Sequence, residues 1–430
     1  MNEGRRMYGL CTRMFPICRS ITGNGVRETF RLLQSEIPGI PFEMHEVPTG
    51  TQVMDWKVPK EWNIHDAYIE TPDGERICEF KKNNLHILHY SIPVDMTVTL
   101  EELKKHITTL PDQPDLIPYA SSYYSERWGF CMSHNEFLEL KEGNYHVVID
   151  SELTDGSLTY GQILIPGDRD EEIFFSSYVC HPSMANNECS GPSLIIELAK
   201  YLNSLPNRRY SYRLVLAPET IGALTYISRN LPYLQSHVKA AFNLTCVGDD
   251  RTYSIVHSRY GNTLADKVLT NILKFHYPDY KDYDYTKRGS DERQYQAPGV
   301  DIPMVAFCRS KYHVFPEYHT SADNLDFISP AGLQGSFDVM KKVIDTLEYN
   351  RYFKVTTLGE PQLGRRGLVP TMSSKETYRQ TLALKDLIAY ADGTNDLVDI
   401  SNIINVPVDV LIPLIDKLLE CRLFREAAVD

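Results

Sequence analysis

The sequence predicts an α/β fold in which helices cover a mainly parallel sheet, and three patterns along the chain lead to this prediction. Over residues 171–347, apolar runs of strand length alternate with amphipathic runs of helix length, an alternation typical of parallel sheets with helices on their faces. Over residues 48–167, short strands and turns predominate and indicate an inserted β-rich domain. Near the C-terminus, three short helical segments follow one another in an order that resembles a winged helix.

These changes of pattern divide the 430 residues into five parts. Apolar periodicity on both sides of a Gly-containing break at residues 19–25 predicts two N-terminal helices, which we assign to the α/β domain. A Gly- and Pro-rich stretch precedes the last part. The predicted parts are the N-terminal helical part of the α/β domain at 1–47, the β-rich insertion at 48–167, the rest of the α/β domain at 168–354, a linker at 355–372 and a winged-helix-like domain at 373–430.

Within the α/β domain, each predicted strand is a short apolar run and each predicted helix has an apolar face. Residues 193–202 illustrate the helical pattern, because Leu194, Leu198 and Leu202 recur at intervals of four. Pro330 marks the start of the last helix, since proline is favoured at the first helical position. The predicted strands are 173–179, 212–216, 240–247 and 304–307, and the predicted helices are 193–202, 222–230, 264–276 and 330–347.

Composition argues against several classes of protein. Hydrophobic residues make up 42% of the chain and charged residues 23%, which is typical of folded domains. The net charge of −13 argues against binding to nucleic acid or to an anionic membrane surface, since both depend on cationic contacts. No apolar run approaches the roughly 20 residues of a membrane span, and the polar N-terminus lacks the apolar core of a signal peptide. The nine cysteines form no CxxC pair, so we expect reduced thiols in a cytoplasmic protein.

Two histidines, His181 and His319, each follow a predicted strand and have carboxyl groups nearby in the sequence. Ligands of open α/β sheets bind at the carboxyl ends of the strands, so we expect the two imidazoles at the same edge. Neutral imidazole nitrogens and carboxylate oxygens are ligands of zinc, and a catalytic zinc keeps one position open for water. The pair therefore predicts a hydrolytic metal site.

Four segments around these histidines resemble the zinc aminopeptidases of the α/β exopeptidase class. That class has His-x-Asp, then Asp-x-x-Ser-Gly at the start of a helix, then Glu-Glu-x-Gly, Asn-x-Asp and a final His-Thr. Here the corresponding segments are 181–191, 217–222, 243–249 and 316–326, within a resemblance that covers about residues 170–345. The whole architecture is more similar still to an uncharacterised bacterial aminopeptidase-like family with an inserted β-rich domain and a C-terminal winged helix. The resemblance implies a zinc exopeptidase-like fold.

The resemblance places His181 and His319 at histidine ligand positions and Glu219 at the position of the general base. The chain departs from the family where it lacks carboxylates that orient a ligand, bridge two metals or bind one metal, and these positions hold Ser183, Asn187, Thr220 and Thr245. Carboxylate charge is what allows two dications to lie about 3.5–4 Å apart. We therefore expect one zinc ion per chain.

The predicted ligands of this zinc ion are His181, His319 and Glu188, a set of two histidines and one carboxylate that is common in catalytic zinc sites. The identity of the third ligand is open at this point. The alternatives to Glu188 are the amide oxygen of Asn187 and the carboxylates of Asp291 or Glu292.

These residues predict a zinc-dependent hydrolase of amide bonds that acts on a small peptide or aminoacyl-amide substrate. Glu219 is the predicted base, and an oxyanion would be stabilised by Tyr318, Arg293 or Tyr312. We predict that the substrate contacts Asn187, Asp291, Arg293 and Tyr318, and that Tyr123, Tyr124 and Trp128 of the insertion form a wall of the site.

The alternative hypothesis is a catalytically inactive, aminopeptidase-like binding or assembly module, which the missing carboxylates suggest. In either case we expect the C-terminal domain to contact another protein or a second copy of the chain. A role in DNA binding is disfavoured, because residues 371–430 contain six Lys and Arg against ten Asp and Glu.

Overall fold

An eight-stranded mixed sheet forms the centre of the fold. The structure is a computed structural model that describes residues 2–368 and 375–427, with the backbone alone over 375–380. Across the sheet the strands are Glu43–Pro48, Ser157–Ile165, Ser211–Ala217, Glu172–Tyr178, Val238–Leu244, Met304–Cys308, Ser254–Val256 and Lys281–Tyr283. The four middle strands, from Ser211–Ala217 to Met304–Cys308, are parallel to one another. The predicted parallel core is therefore present, and antiparallel pairings flank it on both sides.

The middle strands owe their uniformly apolar sequences to burial on both faces. Every residue of Glu172–Tyr178 is buried, as expected for a parallel strand between two layers of helices. Its one acidic residue, Glu172, is paired with Arg213 of the next strand at 2.6 Å. The helices that accompany the large sheet include Glu3–Met14, Asn24–Ser35, Ser190–Ser204, Ile221–His237 and the short Glu292–Tyr295.

The insertion is built on a separate antiparallel sheet. Its strands, in spatial order, are Arg76–Ile77, Glu61–Glu70, Asn144–Thr154 and Val94–Thr99. Two-stranded ribbons (Gln52–Val53 with Trp56–Lys57, and Ile107–Thr108 with Phe130–Cys131) and the helices Leu100–Lys104 and His134–Leu138 complete it.

Strand Ser157–Ile165 was predicted to belong to the insertion, and this assignment is wrong. The strand pairs with Ser211–Ala217 and with Glu43–Pro48 in the large sheet. Its apolar pattern predicts a strand but carries no information about the partner, because pairing depends on residues about 50 and 110 positions away in the chain. The insertion sheet therefore ends at Thr154.

The chain forms two compact units, Met1–Gly261 with Lys281–Asp338, and Asn262–Tyr280 with Val339–Asp430. The second unit contains the sheet Asp392–Asp396, Tyr352–Val355 and Phe424–Glu426, and the helices Leu264–His276, Lys375–Tyr390, Leu397–Ile404 and Val408–Glu420. Helix Pro330–Tyr349 begins in the first unit and ends in the second.

Two predicted boundaries change at this second unit. Strand Tyr352–Val355 was assigned largely to the α/β domain, but it is the middle strand of the small sheet. Helix Leu264–His276 was also assigned there, but Lys267 pairs with Asp399 and Asn271 bonds to Ser401 within the second unit. The predicted boundary between residues 372 and 373 and the last three residues lie outside the described residues.

In the described parts of the chain, no single helix is long and apolar enough to cross a membrane. The pair Leu397–Ile404 and Val408–Glu420 reaches that length and composition only when both helices are counted across a 116° bend.

Gly191 lets helix Ser190–Ser204 approach the central sheet closely. A Cβ at this position would lie 2.1 Å from the hydroxyl of Ser177 and 2.6 Å from the carbonyl oxygen of Leu244. We expect Gly191→Ala to lower the free energy of unfolding by about 1–3 kcal/mol, because the helix must move away from the sheet. The matched control is Gly9→Ala, where a Cβ meets nothing within 4 Å, and this change should stabilise its helix by up to about 1 kcal/mol. Urea unfolding measures both, and equal stability of the two variants would contradict the close approach.

Candidate functional site

His181 lies just beyond the carboxyl end of strand Glu172–Tyr178, and its side chain is 5% exposed. Its Nδ1 is 3.0 Å from Oε2 of Glu188, and its Nε2 is 3.8 Å from Oε2 of Glu219. Burial, with a smaller contribution from the charge of Arg19, lowers the pKa of His181 to about 3. The imidazole is therefore neutral at pH 7. Because a carboxyl group accepts at Nδ1, that nitrogen carries the proton and Nε2 has the free lone pair.

Glu188 orients His181, and this changes the role predicted for it. Its carboxylate accepts hydrogen bonds from the amide of Cys180 and from Nδ1 of His181, and it pairs with Arg19 at 3.5 Å. Both carboxylate oxygens of Glu188 are therefore bonded, and they lie on the Nδ1 side of the imidazole, away from Nε2. A carboxylate bonded to Nδ1 fixes the tautomer and ring orientation of a histidine, which is the role that the resemblance assigns to the aspartate replaced here by Ser183.

Arg19 is a fully buried cation behind this pair. Its guanidinium is 1% exposed and donates to the carbonyl oxygens of His181 at 3.1 Å and Met14 at 2.5 Å. Burial raises the pKa of Glu188 to about 8, and the positive charge of Arg19 opposes this rise by stabilising the carboxylate. Sequence reasoning did not find Arg19, because nothing in the N-terminal segment indicates which distant carboxylate it meets.

His319 faces His181 across the site, with ring centroids 5.2 Å apart. Its backbone has φ +57°, a conformation uncommon for residues other than glycine. Its ring stacks on Tyr318 at 3.9 Å, and its Nε2 is buried without a hydrogen-bond partner. Burial, and then the charge of His181, lower the pKa of His319 well below its usual value, so this imidazole is also neutral.

Asn187 presents a second unpaired ligand atom. Its Nδ2 donates to the hydroxyl of Tyr178 at 2.6 Å, whereas its Oδ1 is buried and has no partner. Asp323, a buried residue that the sequence analysis left out of the site, accepts the backbone amides of Asn186 at 2.6 Å and Asn187 at 2.9 Å. These two bonds hold the loop that carries Asn187.

The residues around His181 and His319 fit a metal ion that prefers nitrogen and oxygen ligands. A buried polar atom without a partner costs about 1–3 kcal/mol, and here Nε2 of His319 and Oδ1 of Asn187 are two such atoms. Each has a lone pair of the kind that zinc binds. A bound cation would give both atoms, Nε2 of His319 and Oδ1 of Asn187, a partner.

A second cluster, Cys180, His181 and Glu188, has ligand atoms within 4.8 Å of one another. Its members are already bonded together, with Cys180 Sγ 3.3 Å from Nδ1 of His181. The guanidinium of Arg19 beside Glu188 opposes a second cation at this cluster. Burial also raises the pKa of the Cys180 thiol well above its usual value, so the thiol is neutral and serves to accept the backbone amide of Glu219 at 3.2 Å.

Glu219 is the accessible carboxyl group of the site, with a side chain 22% exposed. Burial, and then the charge of Asp291, raise the pKa of Glu219 to about 8. A pKa near the working pH suits a group that accepts and returns a proton.

Thr220, after Glu219, has a strained backbone with φ +63° and ψ −76°. Its amide donates to Oδ1 of Asp291 at 2.8 Å, and its hydroxyl accepts from Nη2 of Arg293 at 2.7 Å. Asp291 was predicted to contact substrate, but it is 2% exposed and instead holds this turn. Arg293 is exposed at the rim of the site.

Glu292 and Tyr312, which were also predicted for the site, form hydrogen bonds with other groups of the fold. Glu292, an alternative third ligand, is completely buried and accepts hydrogen bonds from the amides of Gly289 and Ser290 and from the hydroxyl of Tyr312. The hydroxyl of Tyr312 is therefore already hydrogen-bonded within the fold. Tyr318 is the tyrosine that stacks on His319.

Neutral groups occupy the positions where the resemblance would place the ligands of a second metal. The hydroxyl of Thr245 lies 2.5 Å from that of Tyr178, which in turn accepts from Asn187. This chain of hydrogen bonds carries no charge, and Thr220 faces the cation of Arg293.

A segment of the insertion covers the site. The amide of Tyr119 donates to the carbonyl oxygen of His319 at 2.9 Å, and Ile117 and Ser321 exchange two hydrogen bonds. The ring of Tyr119 lies 5.2 Å from both His181 and His319. Of the aromatic residues predicted to form a wall, Tyr123 bonds to the hydroxyl of Tyr119. The other two point elsewhere, since Tyr124 packs on Trp56 and Trp128 stacks on His106.

Comparison with known proteins identifies the two parts of the chain. Residues 8–350 match a family described as a domain of unknown function, DUF4910. The chain belongs to this family. Residues 350–426 match a winged helix-turn-helix family, as the sequence predicted.

The DUF4910 domain has relatives of known structure. A Clostridium acetobutylicum protein, described provisionally as a polysaccharide biosynthesis protein with an aminopeptidase-like domain, is 45% identical over 93% of this chain and 91% of its own. A crystal structure of a provisionally assigned peptidase from Clostridium acetobutylicum superposes with a TM-score of 0.92 and 42% identity, over 99% of this chain and 96% of the other. A zinc aminopeptidase from Bacillus subtilis superposes with a TM-score of 0.59 at 13% identity, over 80% of this chain and 94% of its own, and shows a shared fold. The DUF4910 domain thus has an aminopeptidase-like fold.

Proposed function

We propose that the DUF4910 domain is a metal-dependent hydrolase of amide bonds that holds one zinc ion with His181, His319 and Asn187. The observation that carries the proposal is the pair of buried, unpaired ligand atoms on His319 and Asn187, beside a His181 whose Nδ1 is already bonded. Asn187 replaces Glu188 as the proposed third ligand, because Glu188 lies behind His181. One zinc ion rather than two is supported by the neutral groups at Thr245 and Tyr178.

A zinc ion bound there would lower the pKa of a water molecule and polarise the substrate carbonyl. Glu219 is a partly exposed carboxyl group beside His181, and in its ionised form it accepts the proton of the attacking water. The same oxygen then returns the proton to the nitrogen of the leaving amine, which completes cleavage of the C–N bond.

Two tyrosines and the insertion shape this site. Burial raises the pKa of Tyr318, so its hydroxyl stays protonated and can donate to the carbonyl oxygen as negative charge develops there. Tyr119, above both histidines, limits the space to small substrates. The substrate class is a small peptide or an aminoacyl amide, and the description of the Clostridium acetobutylicum relative favours an amide carried by a sugar.

Zinc content tests the proposal directly. We expect purified protein loaded with zinc and then dialysed to retain about one zinc ion per chain by elemental analysis, and His319→Ala to retain much less. The matched control is His313→Ala, since His313 is an exposed histidine in the same segment. Absence of zinc from the loaded wild-type chain would overturn the proposal and favour the inactive binding module. Equal zinc retention by His319→Ala and His313→Ala would remove His319 from the ligand set.

The winged-helix domain has a separate proposed role. Its excess of acidic residues opposes contact with phosphate groups. We propose that it contacts another protein or a second copy of the chain.

A further inference from the structure

Three rings lead outward from the proposed metal site to the surface. His319 stacks on Tyr318 at 3.9 Å, and Tyr318 lies 4.7 Å from His313. Exposure rises in the same order, from half-buried His319 and Tyr318 to exposed His313. The rings of His319, Tyr318 and His313 form an aromatic wall along which a substrate can extend from the reacting bond towards solvent.

Arg293 belongs to a segment that packs against His313, since a Cβ on Gly289 would lie 3.1 Å from Nε2 of His313. Nη2 of Arg293 bonds to the hydroxyl of Thr220, the residue after Glu219. Its charge opposes the rise in the pKa of Glu219 and helps to lower the pKa of His313. Among the side chains of residues 2–368 and 381–427, no carboxylate forms an ion pair with Arg293 at 4.0 Å or less. A guanidinium has five N–H donors, and a single bond to a hydroxyl leaves most of them for a ligand.

The stretch of chain that leads to Arg293 is basic although the chain is acidic. Lys287 and Arg288 are exposed in the same stretch. The acidic neighbours Asp291 and Glu292 are buried and hydrogen-bonded to backbone amides, and Asp284 caps the turn at residues 285–287. Over residues 285–293 the exposed charged side chains, Lys287, Arg288 and Arg293, are therefore all positive, in a protein whose net charge is −13.

We propose that Arg293 binds a carboxylate of the substrate, so that the substrates are amides with a carboxylate on the part that extends over Tyr318 and His313. A planar guanidinium fork matches a carboxylate and forms charge-assisted hydrogen bonds with it. This inference rests on the proposed function only for the position of the reacting bond. It assigns the class of substrate and gives Arg293 a binding role rather than a catalytic one.

Binding measurements test the inference without turnover. In the Glu219→Gln background, calorimetry compares alanyl-alanine, alanyl-alanine amide and alanyl-aspartate amide. We expect at least one of the two carboxylate-bearing compounds to bind roughly 10- to 100-fold more tightly than alanyl-alanine amide. Tight binding of alanyl-alanine indicates a terminal carboxylate, and tight binding of alanyl-aspartate amide indicates a side-chain carboxylate.

Added to this background, Arg293→Ala should abolish the preference, and Arg293→Lys should restore part of it. The matched control is Arg288→Ala, which removes the same charge from an arginine that stacks on Tyr285. A preference that survives Arg293→Ala, equal binding of the three compounds or no binding of any would overturn the inference. Selective binding without hydrolysis by the wild-type enzyme would keep the carboxylate site and overturn the hydrolase.

Discussion

Replacement of Glu219 with glutamine is expected to slow amide hydrolysis by about 10²- to 10⁴-fold, the usual contribution of a general base. Glutamine has the same shape but cannot accept the proton of the attacking water. The local backbone should not change, because its contacts to Cys180 and Asp291 involve the amides of residues 219 and 220. Release of amine from aminoacyl amides measures the rate, and elemental analysis measures zinc. Zinc content should equal that of the wild-type protein.

A matched control for this variant is Glu317→Gln, two residues before His319. Glu317 pairs with Arg251 at the surface and makes no side-chain contact with His319. We expect near-normal activity from it. Retained turnover in Glu219→Gln would rule out Glu219 as the base. Loss of activity together with loss of zinc would instead identify Glu219 as a ligand.

Replacement of Arg19 with methionine is expected to lower the free energy of unfolding by about 3–5 kcal/mol, because it leaves the charge of Glu188 buried without its partner. Both side chains of this pair are 1% exposed. The change also frees the carbonyl oxygen of His181, so the loop that carries this histidine should loosen. Chemical unfolding, followed by circular dichroism, measures the effect.

The surface pair Arg13 and Glu36 supplies the comparison for Arg19. Its side chains are 49% and 27% exposed, and Arg13→Met should cost less than about 1 kcal/mol. If Arg19→Met costs no more than Arg13→Met, the buried pair does not stabilise the site. Adding Glu188→Gln to Arg19→Met should recover part of the loss, since the second change removes the unpaired charge.

The meeting of His181, His319 and Glu219 could be predicted because these residues follow strands that are themselves evident in the sequence. His181 and Glu219 come directly after buried apolar runs, and parallel strands place their carboxyl ends at the same edge. The resemblance to zinc aminopeptidases then assigned roles to positions. Glu188 was chosen as a ligand only because it is the carboxylate next to Asn187, and adjacency in the chain says nothing about which side of an imidazole a carboxylate reaches.

Other residues of the site could not be predicted. Arg19, Tyr119 and Asp323 reach His181, His319 and Asn187 from distant segments. A buried arginine and a buried aspartate look like surface residues in a sequence, since burial of a charge depends on a partner that only folding brings close. The pairing of strand Ser157–Ile165 with the large sheet was missed for the same reason.

Local patterns were enough to predict the parallel core, the order of the chemical groups along it and the winged helix, because periodicity and strand-end position are local properties of the chain. Contacts between distant segments place Glu188 at Nδ1 of His181, bury Asp291 at a turn and leave Arg293 exposed. These outcomes depend on the direction of a side chain and on what compensates its charge. Direction and compensation arise from contacts between segments far apart in the chain, which no local pattern encodes.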